Sequence, residues 1–123
     1  PVGVTYVSTQ QRQALGLAEM VRQMQGQDPV AWVIGGDFNA TPDGHVLTPI
    51  LRVGMVDSHA QVSRTRGGTW PARGLASRLG RIRIDNLLHS PLLVCTASGV
   101  GDDVGSDHLP IWATYRWKRL QRP

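Results

Sequence analysis

The sequence is short of thiols. Cys95 is its only cysteine, which excludes an internal disulfide framework and any zinc site built from several thiolates. Long apolar runs are missing as well: no stretch approaches the roughly 18 apolar residues that a bilayer-spanning helix needs. No secretory signal pattern opens the chain. Lysine and glutamate are nearly absent. Lys118 is the only lysine and Glu19 the only glutamate, so arginine carries almost all the positive side of a net charge of +4. Such a balance suits a phosphate-rich partner, though an arginine-heavy genome would produce it too. Internal repeats and low-complexity blocks do not occur. There is no starting methionine either; the chain opens with Pro1 and Val2, which suggests a piece of something longer.

What remains is enough for a packed core. With 123 residues, 41% of them hydrophobic, the chain fits one modest domain, and global disorder is not expected. Residues 2–7 are apolar enough for a strand. Ser8 with Gln11 forms a capping box and predicts a helix from near Thr9, its apolar face made by Ala14, Leu17, Ala18, Val21 and Met24. Gly26 and Asp28-Pro29 end it. Residues 30–34 form an unbroken apolar run, the pattern of a central strand buried on both faces. Thr41-Pro42 predicts a helix through about Arg52. Residues 53–57 suit a short strand, and residues 58–81 a long loop rich in glycine, proline and arginine. Residues 82–89, 92–98 and 110–117 read as further strands. This order indicates an α/β or α+β fold with a mixed, mostly antiparallel sheet.

Short motifs carry the chemistry. In Gly35-Gly36-Asp37-Phe38-Asn39, Asp37 and Asn39 are two apart and project to one side of an extended backbone at the end of a strand. A carboxylate and a carboxamide there could hold a water and a phosphoryl oxygen; a plain turn in which both bond their own backbone is the alternative. In Arg81-Ile82-Arg83-Ile84-Asp85, the charged residues face away from the isoleucines. Asp85 needs a partner, either an arginine across the strands or a histidine whose tautomer it would fix. Gly105-Ser106-Asp107-His108-Leu109-Pro110 offers that histidine in a loop before the last strand. Asp107 and His108 are adjacent and divide naturally, Asp107 toward a metal and His108 toward a reacting oxygen. His45, His59 and His89 read as structural or exposed, with His59 the one to watch because it follows Asp57 by two.

Taken in order, Gly-Asp-Phe-Asn, Ile-Asp-Asn and Ser-Asp-His-Leu-Pro resemble the endonuclease/exonuclease/phosphatase superfamily of deoxyribonuclease-I-like, metal-dependent phosphohydrolases. The helix-strand lead-in QQRQALGLAEMV and VAWVIGGDFNATPDG looks like that family's central stretch, and GSDHLPI like its closing one. The resemblance implies half of a four-layer α/β sandwich with helices on one face of the sheet. It implies that Asp37 and Asn39 hold the attacking water and stabilise developing charge. His108 would act as general base or phosphate-contacting acid, with Asp85 orienting it. Asp107, with Asp37, would hold Mg²⁺ or Mn²⁺, cations that favour oxygen ligands.

Two features qualify what the resemblance implies. The family's first half carries an early Asn, a metal-binding Glu and a histidine strand, and none has a counterpart here; Glu19 looks like an ordinary exposed helix residue. The chain therefore resembles the C-terminal half of a domain, expected to bind metal weakly, to be nearly inactive alone, and to expose a sheet face that the other half or a second copy would cover. The basic segment, with Trp70, Arg81 and Arg83, suits a phosphate-ester substrate such as a nucleic acid, or a lipid head group. It reads equally as a solvated loop. A non-catalytic phosphate-, nucleic-acid- or partner-binding module is the other class of function the sequence allows. Gly68-Thr69-Trp70-Pro71 resembles bacterial members whose catalytic domain follows membrane-spanning helices, which implies a tethered, extracytoplasmic domain.

Overall fold

A computed structural model of the chain describes residues 2–25, 31–38 and 46–119. The first element is a single helix, α1 (Val2–Gln25). Ala14, Ala18 and Val21 recur at spacings of four and three and are buried, while Glu19 and Arg22 pair at 2.8 Å on the solvent side. The strand expected over residues 2–7 is thus replaced by helix. Extending a formed helix adds a backbone bond for each residue fixed, whereas a strand needs a neighbour, and none of the described strands pairs there.

Strands β1 (Val33–Asp37), β2 (Val56–Asp57) and β3 (Asp85–His89) form an antiparallel sheet in the order β1-β3-β2. Here too an expectation is corrected. The apolar run at residues 30–34 leads into β1, but the central strand is β3. In the described sheet β1 pairs on one side only, and Val33 is exposed. The strand continues through Gly35, where a Cβ would sit 2.7 Å from the Leu87 side chain, so glycine lets that leucine pack against the strand without shifting. The register sets Val33 opposite His89 and Asp37 opposite Asp85.

Helix α2 (Thr48–Arg52) lies against α1; the Thr41-Pro42 helix start falls outside the described residues. Leu47, Ile50 and Met55 join Ala14, Ala18, Val21 and Leu88 in the core, so α1 and α2 cover one face of β3. The segment from 58 to 81 is not one loop. It contains α3 (Ser58–Val62), capped by the Asp57 side chain accepting from Ala60 N–H, and α4 (Leu75–Leu79). Trp70 and Ile82 pair antiparallel, making a two-stranded arm with α4 at its tip.

The final ribbon pairs β4 (Leu93–Val100) with β5 (Ile111–Trp117). It meets β3 through a buried polar relay: His89 Nδ1 lies 2.7 Å from Ser58 Oγ, which lies 2.7 Å from the Tyr115 hydroxyl. The rings of His89 and Tyr115 also meet edge to face, with centroids 5.2 Å apart. The architecture is α/β of the α+β kind, with every described strand pair antiparallel. No helix among the described residues is long and apolar enough to cross a membrane.

Candidate active site

The last residue of β1 and the first of β3 are both aspartates, and the register places them side by side. A third group reaches them from the segment before β5. His108 Nδ1 is 2.7 Å from Asp85 Oδ2, a hydrogen bond, and its Nε2 is 3.8 Å from Asp37 Oδ2. The Asp85 hydrogen bond holds the His108 imidazole above its ordinary pKa. Partial burial opposes this, and the charges of Asp85, Asp37 and Asp107 add to the increase. With Nδ1–H donated to Asp85, Nε2 is the nitrogen that remains to hold or take a proton beside Asp37.

Local chain chemistry keeps these groups in place. Gly105 adopts φ +99°, a value side chains resist, and turns the chain ahead of His108. Arg73 grips that turn: its NH1 donates to both Asp103 oxygens at 2.7 Å and to Ser106 O, and its NH2 donates to Gly105 O. That pairing raises the Arg73 pKa and lowers that of Asp103. The base of the arm holds both halves of the pair. Thr69 Oγ1 accepts from Ile84 N–H and Asp85 N–H at 3.3 Å each, while Leu109 N–H donates to Thr69 O and Ala72 N–H to Asp107 O, both at 2.8 Å. The sequence reading placed Thr69 in the Gly68-Thr69-Trp70-Pro71 motif but gave its side chain no role. Its only signal is a hydroxyl residue placed between Gly68 and an exposed aromatic, just ahead of the Ile-Asp-Asn strand.

Asp37, Asp85 and His108 offer ligand atoms within 4.8 Å of one another, so the cluster could hold a metal ion. Mg²⁺ is held by one or two carboxylates with water and substrate phosphate oxygens. The imidazole is already hydrogen-bonded to Asp85, and the sole thiol, Cys95, is buried with its Sγ donating to Ala97 O. Two carboxylates and an imidazole are a donor set that several divalent ions accept.

The remaining predicted site residues fall elsewhere. Asp107 is exposed and lies outside the close cluster, near enough to act on His108 through its charge. Asn39 lies outside the described residues. Trp70 stands exposed on the arm, and Arg81 donates to Pro71 O and Ala72 O, bracing the same arm. Arg83 departs from its expected place in the substrate groove. Its guanidinium forks onto Asp57 at 2.8 and 3.0 Å, and both side chains are largely buried. A carboxylate taken out of water needs such a partner, and Arg83 is the nearest fork. Of the other histidines, His89 is buried in the relay, His59, the one to watch, is part-buried between Ser98 and Thr65, and His45 lies outside the described residues.

Comparison with known proteins agrees with this geometry. No curated protein matches the chain. Among solved structures it is similar to a mannosyl-6-phosphatase from Bacteroides thetaiotaomicron, at 18% identity and TM-score 0.74, covering 89% of this chain and 46% of that one. It is similar to an endonuclease/exonuclease/phosphatase from Bacteroides vulgatus at 19% identity and TM-score 0.75, covering 90% of this chain and 45% of that one. A Neisseria 3′ phosphatase solved with a product DNA hairpin matches at 23% identity and TM-score 0.70, with 85% of this chain and 52% of that one covered. The chain spans about half the length of these structures, and at such identities they establish the shared fold. The profile of the Endonuclease/Exonuclease/phosphatase family matches residues 1–108, taking in the Gly-Asp-Phe-Asn and Ile-Asp-Asn motifs and ending on His108. The chain belongs to the endonuclease/exonuclease/phosphatase family.

Proposed function

We propose that this chain carries one side of a metal-dependent phosphoesterase centre, the C-terminal half of an endonuclease/exonuclease/phosphatase domain. The reading rests chiefly on one observation, the Asp85–His108 hydrogen bond with His108 Nε2 turned to Asp37. Hydrolysis of a phosphate ester needs a water aligned with the scissile bond, a proton acceptor or donor beside it, and neutralisation of the phosphoryl oxygens. Asp37 and Asn39 align the water. Asp85 fixes the His108 tautomer, and Nε2 takes a proton from the water or gives one to the phosphate. Asp37 and Asp107 are the carboxylates that would hold Mg²⁺ or Mn²⁺, which supplies positive charge to the phosphoryl oxygens.

Two exposed carboxylates make a sparse site, so metal binding is weak and the 123-residue chain alone turns over slowly. Asn39, Trp70 and Arg81 would contact a phosphodiester or phosphomonoester; arginine and an exposed indole favour a nuclease-like substrate. The rest of the domain, or a second copy, covers the open edge of β1.

Activity and metal binding test this separately. Mn²⁺ titrated into the chain should broaden the NMR signals of Asp37 and Asp107 first, and Asp37→Ala should abolish that order. His108→Ala in the protein that contains this chain should abolish Mg²⁺-dependent hydrolysis while leaving the thermal transition in place. Unchanged turnover would remove the assignment and favour a non-catalytic phosphate- or partner-binding module.

A further inference from the structure

We propose that Arg73 is a positioning residue for His108, which it holds against Asp85 through the turn at residues 103–106. The proposal rests on the reading of His108 as the proton-handling group of the site. The three carbonyls that precede His108 are all taken by two successive residues of the arm. Arg73 Nη1 donates to Ser106 O and its Nη2 to Gly105 O, at 3.2 Å each, and Ala72 N–H donates to Asp107 O at 2.8 Å. Beyond the histidine, Leu109 N–H donates to Thr69 O at 2.8 Å. His108 is therefore flanked on both sides by bonds to the arm. Those from Ala72 and Thr69 are main-chain bonds, which nearly any residue can make. Of these anchors, Arg73 alone works through its side chain.

The turn itself is exposed from Asp102 to Asp107, and its own bonds are few. Gly105 N–H donates to Asp103 Oδ1 at 2.8 Å, and His108 N–H to Ser106 Oγ at 3.2 Å. Each of those bonds ends on a residue that Arg73 also holds, because Nη1 donates to both Asp103 carboxylate oxygens at 2.7 Å as well as to Ser106 O. One guanidinium thus ties the start of the turn to its end. The fork is what the task requires, since a lysine ammonium is a compact point charge and cannot match this spread of acceptors. With both terminal nitrogens engaged, the guanidinium serves the turn and not a substrate phosphate.

The effect is on geometry more than on stability. The side chains of Arg73 and Asp103 are 55% and 40% exposed, and a pair so open to water adds little to the stability of the fold. The bond between His108 Nδ1 and Asp85 Oδ2, at 2.7 Å, is far more sensitive to position. A displacement of about 1 Å ends it. A misplacement of that size, caused by a change away from the chemistry, can cost about a hundredfold in rate.

Arg73→Gln and Arg73→Lys, made in the protein that contains this chain, test the proposal. Histidine nitrogen NMR at alkaline pH, where the imidazole is neutral, reads the tautomer. His108 should carry its proton on Nδ1 in the parent protein and lose that bias in Arg73→Gln, as the bond to Asp85 loosens. In the same variant kcat for phosphate-ester hydrolysis should fall about ten- to a hundredfold with KM nearly unchanged, while the thermal transition stays in place. Arg73→Lys keeps the charge beside Asp103 but not the fork, and should recover only a minor part of either loss. An unchanged tautomer in Arg73→Gln overturns the proposal. So does a loss confined to KM, which would mean direct contact with substrate, and so does full recovery by Arg73→Lys, which would mean an effect of charge alone. A shifted tautomer with unchanged turnover would uphold Arg73 as the holder of the ring and would instead remove His108 from the chemistry.

Discussion

The buried ion pair between Arg83 and Asp57 offers a test that is independent of any ligand. The side chains are 13% and 12% exposed, and the guanidinium forks onto both carboxylate oxygens at 2.8 and 3.0 Å. Arg83 Nε is buried with no partner among the described residues, so the pair already carries one uncompensated donor. Replacing Arg83 with Met leaves the Asp57 charge in a nearly dry site. That costs about 3 kcal/mol, the low end for breaking a buried pair because both groups retain some access to water. Asp57→Ser keeps a hydroxyl for the Ala60 N–H and so keeps the α3 cap. It removes the charge and strands Arg83 instead, for a similar loss. Each single change should lower the melting temperature by roughly 10 °C for a chain of this size. The double variant removes both stranded charges, and its cost should fall below the sum of the singles by at least about 2 kcal/mol. Urea titrations of the four proteins measure that difference. Single losses under about 1 kcal/mol that simply add would mean a solvated surface pair, and the account of Arg83 as a structural residue would be wrong.

Further outcomes follow from the same geometry. Asp85→Asn should cut turnover in the protein that contains this chain by about a hundredfold or more, because the amide no longer fixes the His108 tautomer; a steady-state assay with the thermal transition as control checks it. Thr69→Val removes the acceptor for the buried Ile84 N–H and the part-buried Asp85 N–H and should destabilise by about 1–3 kcal/mol, with Thr69→Ser recovering most of the loss in thermal melts. Burial lowers the His89 pKa below its model-compound value of 6.5, against a smaller opposing effect from Asp57. The unfolded chain therefore takes up a proton first, so the His89 contribution to stability is full above pH 6.5 and is lost as pH falls toward the folded value. His108 has the opposite sign: its raised pKa stabilises the fold at low pH, and that contribution is lost as pH rises. In a His108→Gln background the urea midpoint should thus fall below pH 6.5, and a midpoint that rises there would contradict the buried neutral assignment of His89.

Much of the candidate site was legible because the groups that meet are carried by short contiguous motifs. Asp37 ends one run and Asp85 opens another, so the pairing of β1 with β3 sets them side by side, while His108, ahead of the last strand, reaches them by a side-chain hydrogen bond. Legibility failed where pairing partners decide the outcome. The apolar run at 30–34 gave no sign that β1 would lie at the edge of the described sheet, since residue burial depends on neighbours supplied from elsewhere. The apolar segment at 2–7 was ambiguous for the same reason, as short apolar runs suit a strand or a helix until something packs on them. Arg83 illustrates a third limit. Alternation placed it on the polar side of the strand, but only tertiary structure shows that Asp57 waits there.

The arm described above also has a modular consequence. The bonds that link it to the Asp85–His108 pair and to the turn before His108 leave from Thr69, Ala72 and Arg73, and Ile82 with Trp70 closes its base. Residues 74–80 bond only among themselves in the interactions described, as in the Ser77 contacts to Gly74 O. The tip can therefore be lengthened, shortened or exchanged for another sequence without touching the bonds that hold Asp85 and His108. A chimera with a transplanted tip should therefore keep the Asp85–His108 hydrogen bond and the Thr69 contacts that support it.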